Sequence, residues 1–242
     1  MIAVIDYRAG NLTSVRLALE YIGASCEITS DPSRVLAAER VIFPGVGAAG
    51  EAMRNLRELG LIEPIRRVVA SGVPFLGICL GTQVIFEFSE EDGGTACIGQ
   101  VPGTVNRFVS SDPSCKIPQI GWNAVEFRRS LRVGANSPPT HTKIKRSLCV
   151  GANSPPTHGG RASGPHPIFE RVEDASEFYF VHSYYPAPSD PGYVIGETDY
   201  AGVRFASAVG SGNLFATQFH PERSGRIGLR LLDNFARWDG KC

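Results

Sequence analysis

The sequence has no surplus of charge, because its 24 lysine and arginine residues are balanced by 24 aspartate and glutamate residues. Because the chain has no net charge, its composition gives no indication of binding to nucleic acid or to a membrane. No apolar run approaches the ~20 residues that a membrane-spanning helix needs. The chain also enters an apolar strand at Ile2 with no basic region or cleavage site before it. We therefore expect neither a membrane protein nor a secreted one.

The cysteines show neither the C-x-x-C spacing of many metal sites nor a disulfide-like framework. There are six of them, namely Cys26, Cys79, Cys97, Cys115, Cys149 and Cys242. A reducing compartment is the simplest explanation, so a cytoplasmic location is predicted. A chain of 242 residues can bury one substantial core. An open α/β sheet of this size is ordinarily one domain, which would here span residues 1–242.

Strands alternate with helices along the first half of the chain. Residues 2–6 and 40–44 are apolar and strand-like, and the helix between them carries a stripe of Val15, Leu19 and Ile22. This alternation predicts an α/β fold with an open, mostly parallel sheet and helices on both faces. Ligands of such sheets bind at the carboxyl ends of the strands. From residue 99 to residue 200, short strands broken by glycine and proline predict an antiparallel extension.

A candidate nucleophile stands where an apolar strand runs into a helix-like stretch, in residues 73–83. The sequence Gly77-Ile78-Cys79-Leu80-Gly81 has the layout of a nucleophile elbow, with cysteine in place of serine. The glycines let the chain turn sharply, so the thiol would stand exposed on the turn at a helix N-terminus, which favours the thiolate. The alternative is a buried cysteine beside tight packing.

A candidate base lies far downstream, at the end of the apolar run 214–222. His220 is followed two positions later by Glu222, and residues two apart on extended chain share a face. Glu222 can therefore orient the imidazole while the other ring nitrogen takes the thiol proton, as in a Cys-His-acid triad. Taken alone, His-Pro-Glu at a strand end is usually a turn. Together with the elbow, it indicates a catalytic site.

These residues resemble those of a known family. Residues 75–83 and 220–222 are similar to the nucleophile and His-acid motifs of the class I, triad-type glutamine amidotransferases, whose fold is flavodoxin-like. Four further segments resemble the glutaminase subunits of imidazole glycerol phosphate synthases within that family. They are residues 6–15, 43–47, 118–123 and 180–185. The resemblance covers residues 1 to about 128 and about 165 to 238.

The resemblance implies roles for further residues around the elbow. The loop carrying Gly45, Val46 and Gly47 would supply an oxyanion amide together with Leu80, the residue after the nucleophile. Gln83, one helical turn beyond Cys79, would contact the substrate glutamine. From the residues alone, an ordinary strand-to-helix turn and a surface glutamine remain alternatives.

The activity implied by the resemblance is hydrolysis of L-glutamine to glutamate and ammonia through a cysteine thioester, without a metal or organic cofactor. The implied partner in a heterodimer is a (β/α)₈ cyclase subunit. It would use the ammonia to form imidazole glycerol phosphate and aminoimidazole carboxamide ribonucleotide in histidine biosynthesis. Asn11, Trp122, Tyr184 and Arg223 are the residues that we expect at this interface, although Asn11 could also cap the first helix. Arg223 stands where the family usually has lysine.

Two other functions remain open at this stage. The chain could serve a different synthase, because the triad chemistry is shared, or it could be a catalytically silent interaction protein disabled by an insertion. A second histidine, His182, has no acid two residues later. We therefore assign the base to His220 and expect the segment around His182 to pack near the site or to belong to the partner surface.

The insertion is the segment 130–164, which the resemblance does not cover. Residues 129–141 recur as residues 146–158 with one change, from Arg132 to Cys149. Two copies of a 17-residue period are too few and too short for a solenoid. The Gly, Ser and Pro-Pro content predicts a flexible surface loop. A polycationic arm that binds nucleic acid or an acidic partner is the alternative, since the loop is basic.

Overall fold

The structure is a computed structural model that describes residues 1–8, 11–110, 112, 115–128 and 166–241. The predicted loop 130–164 lies outside the described residues. Six α-helices fall within the described part of the chain. They are α1 (Leu12–Tyr21), α2 (Pro32–Leu36), α3 (Ala49–Glu58), α4 (Ile62–Ala70), α5 (Leu80–Val84) and α6 (Gly225–Arg237).

The described residues form thirteen strands. They are β1 (Ile2–Ile5), β2 (Cys26–Thr29), β3 (Arg40–Gly45), β4 (Phe75–Cys79), β5 (Phe86–Ser89), β6 (Thr95–Ala96), β7 (Val101–Arg107), β8 (Gln119–Phe127), β9 (Ser176–His182), β10 (Tyr184–Pro188), β11 (Val194–Tyr200), β12 (Val203–Ser211) and β13 (Leu214–Thr217). Short 3₁₀ turns cover Glu91–Gly93, Pro167–Phe169, Pro191–Tyr193 and Pro221–Arg223.

Nine strands form one sheet in the order β2-β1-β3-β4-β13-β12-β11-β8-β9. The pairings from β2 to β13 are parallel, and those from β13 to β9 are antiparallel. The predicted α/β class, with an open parallel sheet continued by antiparallel strands, is confirmed. Strands β1, β4 and β13 are buried along their whole length because both of their faces are covered, whereas the edge strand β2 carries Glu27 and is only partly buried.

Helices cover both faces of the parallel part. Ala3 and Ile5 of β1 belong to a core that includes residues of α2, α3 and α4. Ile2 and Val4 point to the opposite face and belong to a core with residues of α1 and α6. Phe235 of α6 is completely buried there. Burial of a large apolar side chain such as Phe235 stabilises the fold by about 1.5–3 kcal/mol.

A second sheet of four strands was not predicted. Its order is β10-β7-β5-β6, so the region after residue 99 contributes to two sheets rather than to one extension. Strand β10 pairs with β7 from Tyr184 to Pro188. This sheet brings the backbone of Tyr184 beside the side chain of Gln83 in α5, where the Tyr184 carbonyl accepts a hydrogen bond of 3.0 Å.

Three parallel strands end side by side, and they carry the candidate site. Gly45 at the end of β3 is the register partner of Cys79 at the end of β4. Thr217 at the end of β13 pairs with Ile78, and the chain then runs on to His220. The site therefore lies at the carboxyl edge of the parallel sheet, as the pattern predicted. No helix among the described residues has the length and apolarity to cross a membrane.

Candidate active site

Cys79 occupies a strained backbone conformation between β4 and α5. Its φ of 53° and ψ of −108° lie in a region that residues with a Cβ rarely adopt. The flanking glycines have a different role from the one predicted. A Cβ on Gly77 would stand 2.9 Å from the Ala216 Cβ, and one on Gly81 would stand 1.8 Å from the Phe43 carbonyl oxygen. They permit close approach to neighbouring strands, while the cysteine itself makes the sharp turn.

His220 and Glu222 are joined by a hydrogen bond. The distance from His220 Nδ1 to Glu222 Oε1 is 2.8 Å, and both side chains are buried. The backbone around the histidine is held from two sides. His220 N donates to the Tyr179 carbonyl at 2.9 Å, and Ser224 Oγ donates to the His220 carbonyl at 2.6 Å. Because His220 Nδ1 binds the carboxylate, Nε2 is left for the thiol.

The charges at the site act on one another. Burial by itself lowers the pKa of His220, but the charge and hydrogen bonding of Cys79, followed by those of Glu222, raise this pKa to about 10. The imidazolium form is thus favoured when it faces a thiolate and a carboxylate. The geometry is that of a nucleophile and a proton carrier with an orienting acid.

Asn11 contributes to the same cluster, although we expected it at a partner interface. Its Nδ2 donates to Glu222 Oε1 at 2.6 Å. Asn11 precedes α1 with a left-handed φ of 72°, and its side chain does not cap that helix. The capping alternative is therefore wrong. Sequence reasoning missed this contact because nothing local connects a residue near the N-terminus with the His-Pro-Glu turn.

The predicted oxyanion loop lies directly beside the elbow. Gly45 is level with Cys79 in the sheet, and Gly47 follows with a φ of 103°, which favours glycine. Val46 between them is exposed. Leu80 is the first residue of α5, so its N–H is one of the groups that lack an intrahelical acceptor. The loop and the helix start are thus placed around the sulfur.

Tyr7 supports this loop, a role that the sequence did not indicate. A Cβ on Gly45 would stand 1.8 Å from the Tyr7 hydroxyl oxygen, so only glycine fits beside this ring. The hydroxyl is buried and has no partner among the described residues. Burial raises the pKa of the Tyr7 phenol above its ordinary value, and the nearby charge of Cys79 raises it further. The phenol therefore stays neutral at physiological pH.

Gln83 is buried rather than at the surface, which excludes the surface alternative. Its Nε2 donates to the Tyr184 carbonyl and to Gln218 Oε1, both at 3.0 Å. Gln218 is itself completely buried, and its Nε2 lies 3.7 Å from the Cys79 sulfur. Sequence reasoning missed Gln218. The available signal was a lone polar side chain two positions before His220, on the same face of an apolar strand.

His182 is surrounded by aromatic rings. Those of Phe108, Phe180 and Phe205 have centroids 5.3–5.5 Å from the imidazole. Its Nδ1 lies 2.7 Å from the Tyr184 carbonyl oxygen. Burial lowers the pKa of His182 to about 4, so the ring is neutral at physiological pH. These contacts agree with a packing role beside the site.

Two of the residues predicted at the interface share a surface next to the triad. Trp122 is 53% exposed and lies edge-to-face against Tyr179, with ring centroids 6.0 Å apart. The guanidinium of Arg223 lies 4.5 Å from the centroid of the same Tyr179 ring. Ile120 is also exposed, at 64%. The side chain of Tyr184 is only partly exposed, and this residue belongs to the smaller sheet.

The fold and the cysteine at the sheet edge define a class of protein. The family model "Glutamine amidotransferase class-I" matches residues 3–237. Two solved structures share the fold at low sequence identity. A glutamine amidotransferase has a TM-score of 0.65 and 15% identity, with 97% of each chain covered. The PurLQS structure from Thermotoga maritima has a TM-score of 0.63 and 17% identity, with 97% of this chain and 96% of that one covered.

Curated relatives narrow the assignment. The imidazole glycerol phosphate synthase subunit HisH of Herpetosiphon aurantiacus is 44% identical over 235 residues, covering 97% of this chain and 93% of the relative. The subunit of the same name from Methylococcus capsulatus is 43% identical over 246 residues, covering 98% and 96%. The chain belongs to the class I glutamine amidotransferases and, within them, to the HisH subunit family.

Proposed function

We propose that this protein is the glutaminase subunit of an imidazole glycerol phosphate synthase, with Cys79 as nucleophile, His220 as general acid and base, and Glu222 as the orienting acid. One observation carries the proposal. A buried hydrogen bond of 2.8 Å to Glu222 orients the imidazole of His220. Among the neighbouring groups, the charge of Cys79 has the largest effect in raising the pKa of this imidazole. Such a site generates a thiolate without a metal.

The reaction then follows from the positions of these groups. The Cys79 sulfur attacks the side-chain amide carbon of glutamine, after its proton has passed to His220. The tetrahedral intermediate collapses when His220 returns that proton to the nitrogen, so ammonia leaves and a glutamyl thioester remains. His220 next takes a proton from water, which attacks the thioester. Glutamate is released, and the thiolate is regenerated.

The developing oxyanion is stabilised by backbone N–H groups. Leu80 supplies one at the start of α5, and the loop of Gly45, Val46 and Gly47 supplies a second. The exposed position of Val46 allows a bound partner to change the orientation of this loop. Gln83 positions the substrate. Since both of its amide protons are used within the protein, its carbonyl oxygen is the group that contacts glutamine.

The partner is the cyclase subunit, which docks over Ile120, Trp122 and Arg223. This surface combines exposed apolar area with a cation, features common at interface hot spots. It adjoins the triad through Tyr179, whose carbonyl binds the backbone of His220. Ammonia therefore passes from a buried site directly into the partner. The partner joins its nitrogen to the nucleotide substrate to give imidazole glycerol phosphate.

The test is synthesis by the complex with either nitrogen source. In the complex with its cyclase, Cys79→Ala should abolish glutamine-dependent synthesis, whereas ammonia-dependent synthesis continues, because the thiol makes ammonia and takes no part in cyclisation. Cys26→Ala, which alters a thiol in β2, should leave both activities intact. Equal loss of both activities in Cys79→Ala would show a structural defect and count against the assignment.

A further inference from the structure

Gln218 links the nucleophile to the proposed substrate contact, Gln83, through an unbroken set of hydrogen bonds. It follows β13, its side chain is completely buried, and its backbone N–H donates to the Ser207 carbonyl at 2.9 Å. Its side-chain oxygen accepts from Gln83 at 3.0 Å, and its side-chain nitrogen lies 3.7 Å from the Cys79 sulfur. The triad chemistry described above does not use this residue.

The orientation of both amides follows from a single backbone carbonyl. The Tyr184 carbonyl oxygen can only accept, so the Gln83 atom 3.0 Å from it must be the nitrogen. That nitrogen donates its second proton to Gln218, so the facing Gln218 atom must be the oxygen. The Gln218 atom nearest to the sulfur is then necessarily the nitrogen. A donor is held against Cys79 at a distance suited to a hydrogen bond with sulfur.

A neutral donor at this position favours the thiolate over the thiol. A hydrogen bond to the charged form of a group stabilises that form, and more so in a buried site of low dielectric. Unlike His220, an amide has no proton to exchange at these pH values. Its ability to donate is therefore constant through the catalytic cycle, and the strength of its hydrogen bond follows the charge on the sulfur. It stabilises the attacking sulfur in acylation and the departing sulfur in deacylation, and it is largely lost in the neutral thioester.

We propose that Gln218 is a catalytic residue whose side-chain N–H stabilises the Cys79 thiolate, and that Gln83 and the Tyr184 carbonyl lock its amide in that orientation. The inference rests on the proposed role of Cys79 as nucleophile. It adds a fourth catalytic side chain to the three of the triad and makes Gln83 a positioning residue for Gln218 as well as a substrate contact.

The experiment measures the alkylation of Cys79 by iodoacetamide as a function of pH in the full-length protein. Gln218→Met keeps the approximate shape and removes the donor, so the midpoint of the pH–rate profile should rise by about one pH unit. Gln218→Glu places a carboxylate against the sulfur and should raise the midpoint further. In the cyclase complex, kcat for glutamine should fall roughly 10- to 100-fold in Gln218→Met, with KM little changed.

Thr82→Val is the matched control. The Thr82 hydroxyl is buried in the same region and donates to the Thr217 carbonyl at 2.6 Å, but it does not contact the sulfur in the hydrogen-bond network. This variant should lose stability with an unchanged alkylation midpoint. Gln83→Met removes the hydrogen bond that orients the Gln218 amide. The alkylation midpoint should therefore rise, but by less than in Gln218→Met.

A folded Gln218→Met or Gln218→Glu protein with the wild-type alkylation midpoint and kcat would overturn the inference. A shift of equal size in Thr82→Val would also overturn it, since the effect would then come from packing. Failure of the proposed function looks different. If Cys79→Ala retains glutamine-dependent synthesis, the nucleophile itself is wrong, whereas a dead Cys79→Ala with unperturbed Gln218 variants rejects only the role of Gln218.

Discussion

The side chains of Asn11 and Glu222 are joined by a hydrogen bond of 2.6 Å, although 211 positions separate them. The carboxylate oxygen that accepts from Asn11 Nδ2 also accepts from His220 Nδ1. Glu222 is therefore held by two donors on one oxygen. This arrangement connects the first strand-helix junction of the fold to Glu222, the proposed orienting acid.

Removal of the Asn11 amide should weaken catalysis through Glu222. In Asn11→Ala, the buried carboxylate keeps one donor and gains freedom to turn away from the imidazole, so we expect kcat for glutamine to fall about tenfold. Asn11→Asp should be worse, because a second carboxylate competes for the imidazole and repels Glu222. Steady-state glutaminase assays on the cyclase complex measure both effects.

Asn213→Ala is the control for this prediction. Its Nδ2 donates to the Val73 carbonyl at the same distance of 2.6 Å, away from the triad. This variant should lower the unfolding temperature without changing kcat. A matching loss of kcat in Asn213→Ala would mean that Asn11 acts through general stability.

The two histidines should respond differently to substitution. His220→Asn should lower the glutaminase rate by ~10² to 10⁴-fold, as expected for a general acid and base. His182→Asn should act mainly on stability or coupling, because the neutral ring packs among aromatic side chains. Single-turnover hydrolysis and thermal unfolding of the two variants distinguish these outcomes. The reverse ranking would reject His220 as the base.

The low pKa of His182 adds a pH signature. Its folded-state value of about 4 lies below the ordinary value of 6.5, so the unfolded chain binds this proton more tightly. The histidine therefore reduces the free energy of unfolding as pH falls from 6.5 towards 4. His182→Asn should lose less stability than the wild type over this interval.

A Cβ at position 45 should disable the oxyanion loop unless Tyr7 is shortened. Gly45→Ala places a methyl group 1.8 Å from the Tyr7 hydroxyl oxygen, which forces the loop or the ring to move. Tyr7→Phe removes that oxygen, and the next ring atom is 3.1 Å away. The double variant should thus recover part of the activity lost in Gly45→Ala. A double-mutant cycle on kcat/KM measures this coupling, and additive losses would contradict it.

Partner binding should depend on Trp122. Trp122→Ala removes an exposed aromatic side chain from the proposed docking surface, so we expect affinity for the cyclase to fall by about 30-fold or more, as at an interface hot spot. Titration calorimetry measures the affinity. Tyr21→Ala is the control, because Tyr21 is an even more exposed aromatic residue at the end of α1. Equal affinities of the two variants would place the interface elsewhere.

Excision of residues 130–164 should preserve the fold and the cyclase-coupled activity within a few-fold. The segments on either side of residues 130–164 already contact each other. The rings of Phe127 and Phe169 stack with centroids 3.9 Å apart, and the Phe127 N–H donates to Asp174 Oδ1 at 2.7 Å. Shortening a connection changes its closure entropy only logarithmically. Thermal unfolding and glutamine-dependent synthesis measure the result, and loss of cyclase binding by a folded product would make the segment an interface element.

Much of the candidate site could be predicted because its reactive residues lie in short segments of the sequence. The elbow around Cys79 and the pair His220 and Glu222 each occupy a few consecutive residues, and strand periodicity places such residues at strand ends. The alternation of strands and helices likewise predicted the parallel sheet. The second sheet was not predicted, because the sequence of a short strand such as Phe86–Ser89 does not indicate which strand it pairs with.

The sequence by itself determined the class of chemistry that we propose, since residue type and local spacing indicate a candidate nucleophile, base and acid. Only the tertiary structure decided how these groups are held. Asn11 reaches Glu222, and Tyr7 leaves room only for glycine at position 45. The Tyr184 carbonyl orients the amide of Gln83, which in turn orients the amide of Gln218 beside the sulfur. Each contact joins segments far apart in the chain. A hydrogen bond depends on distance and direction within fractions of an ångström, which exist only once the sheets have assembled.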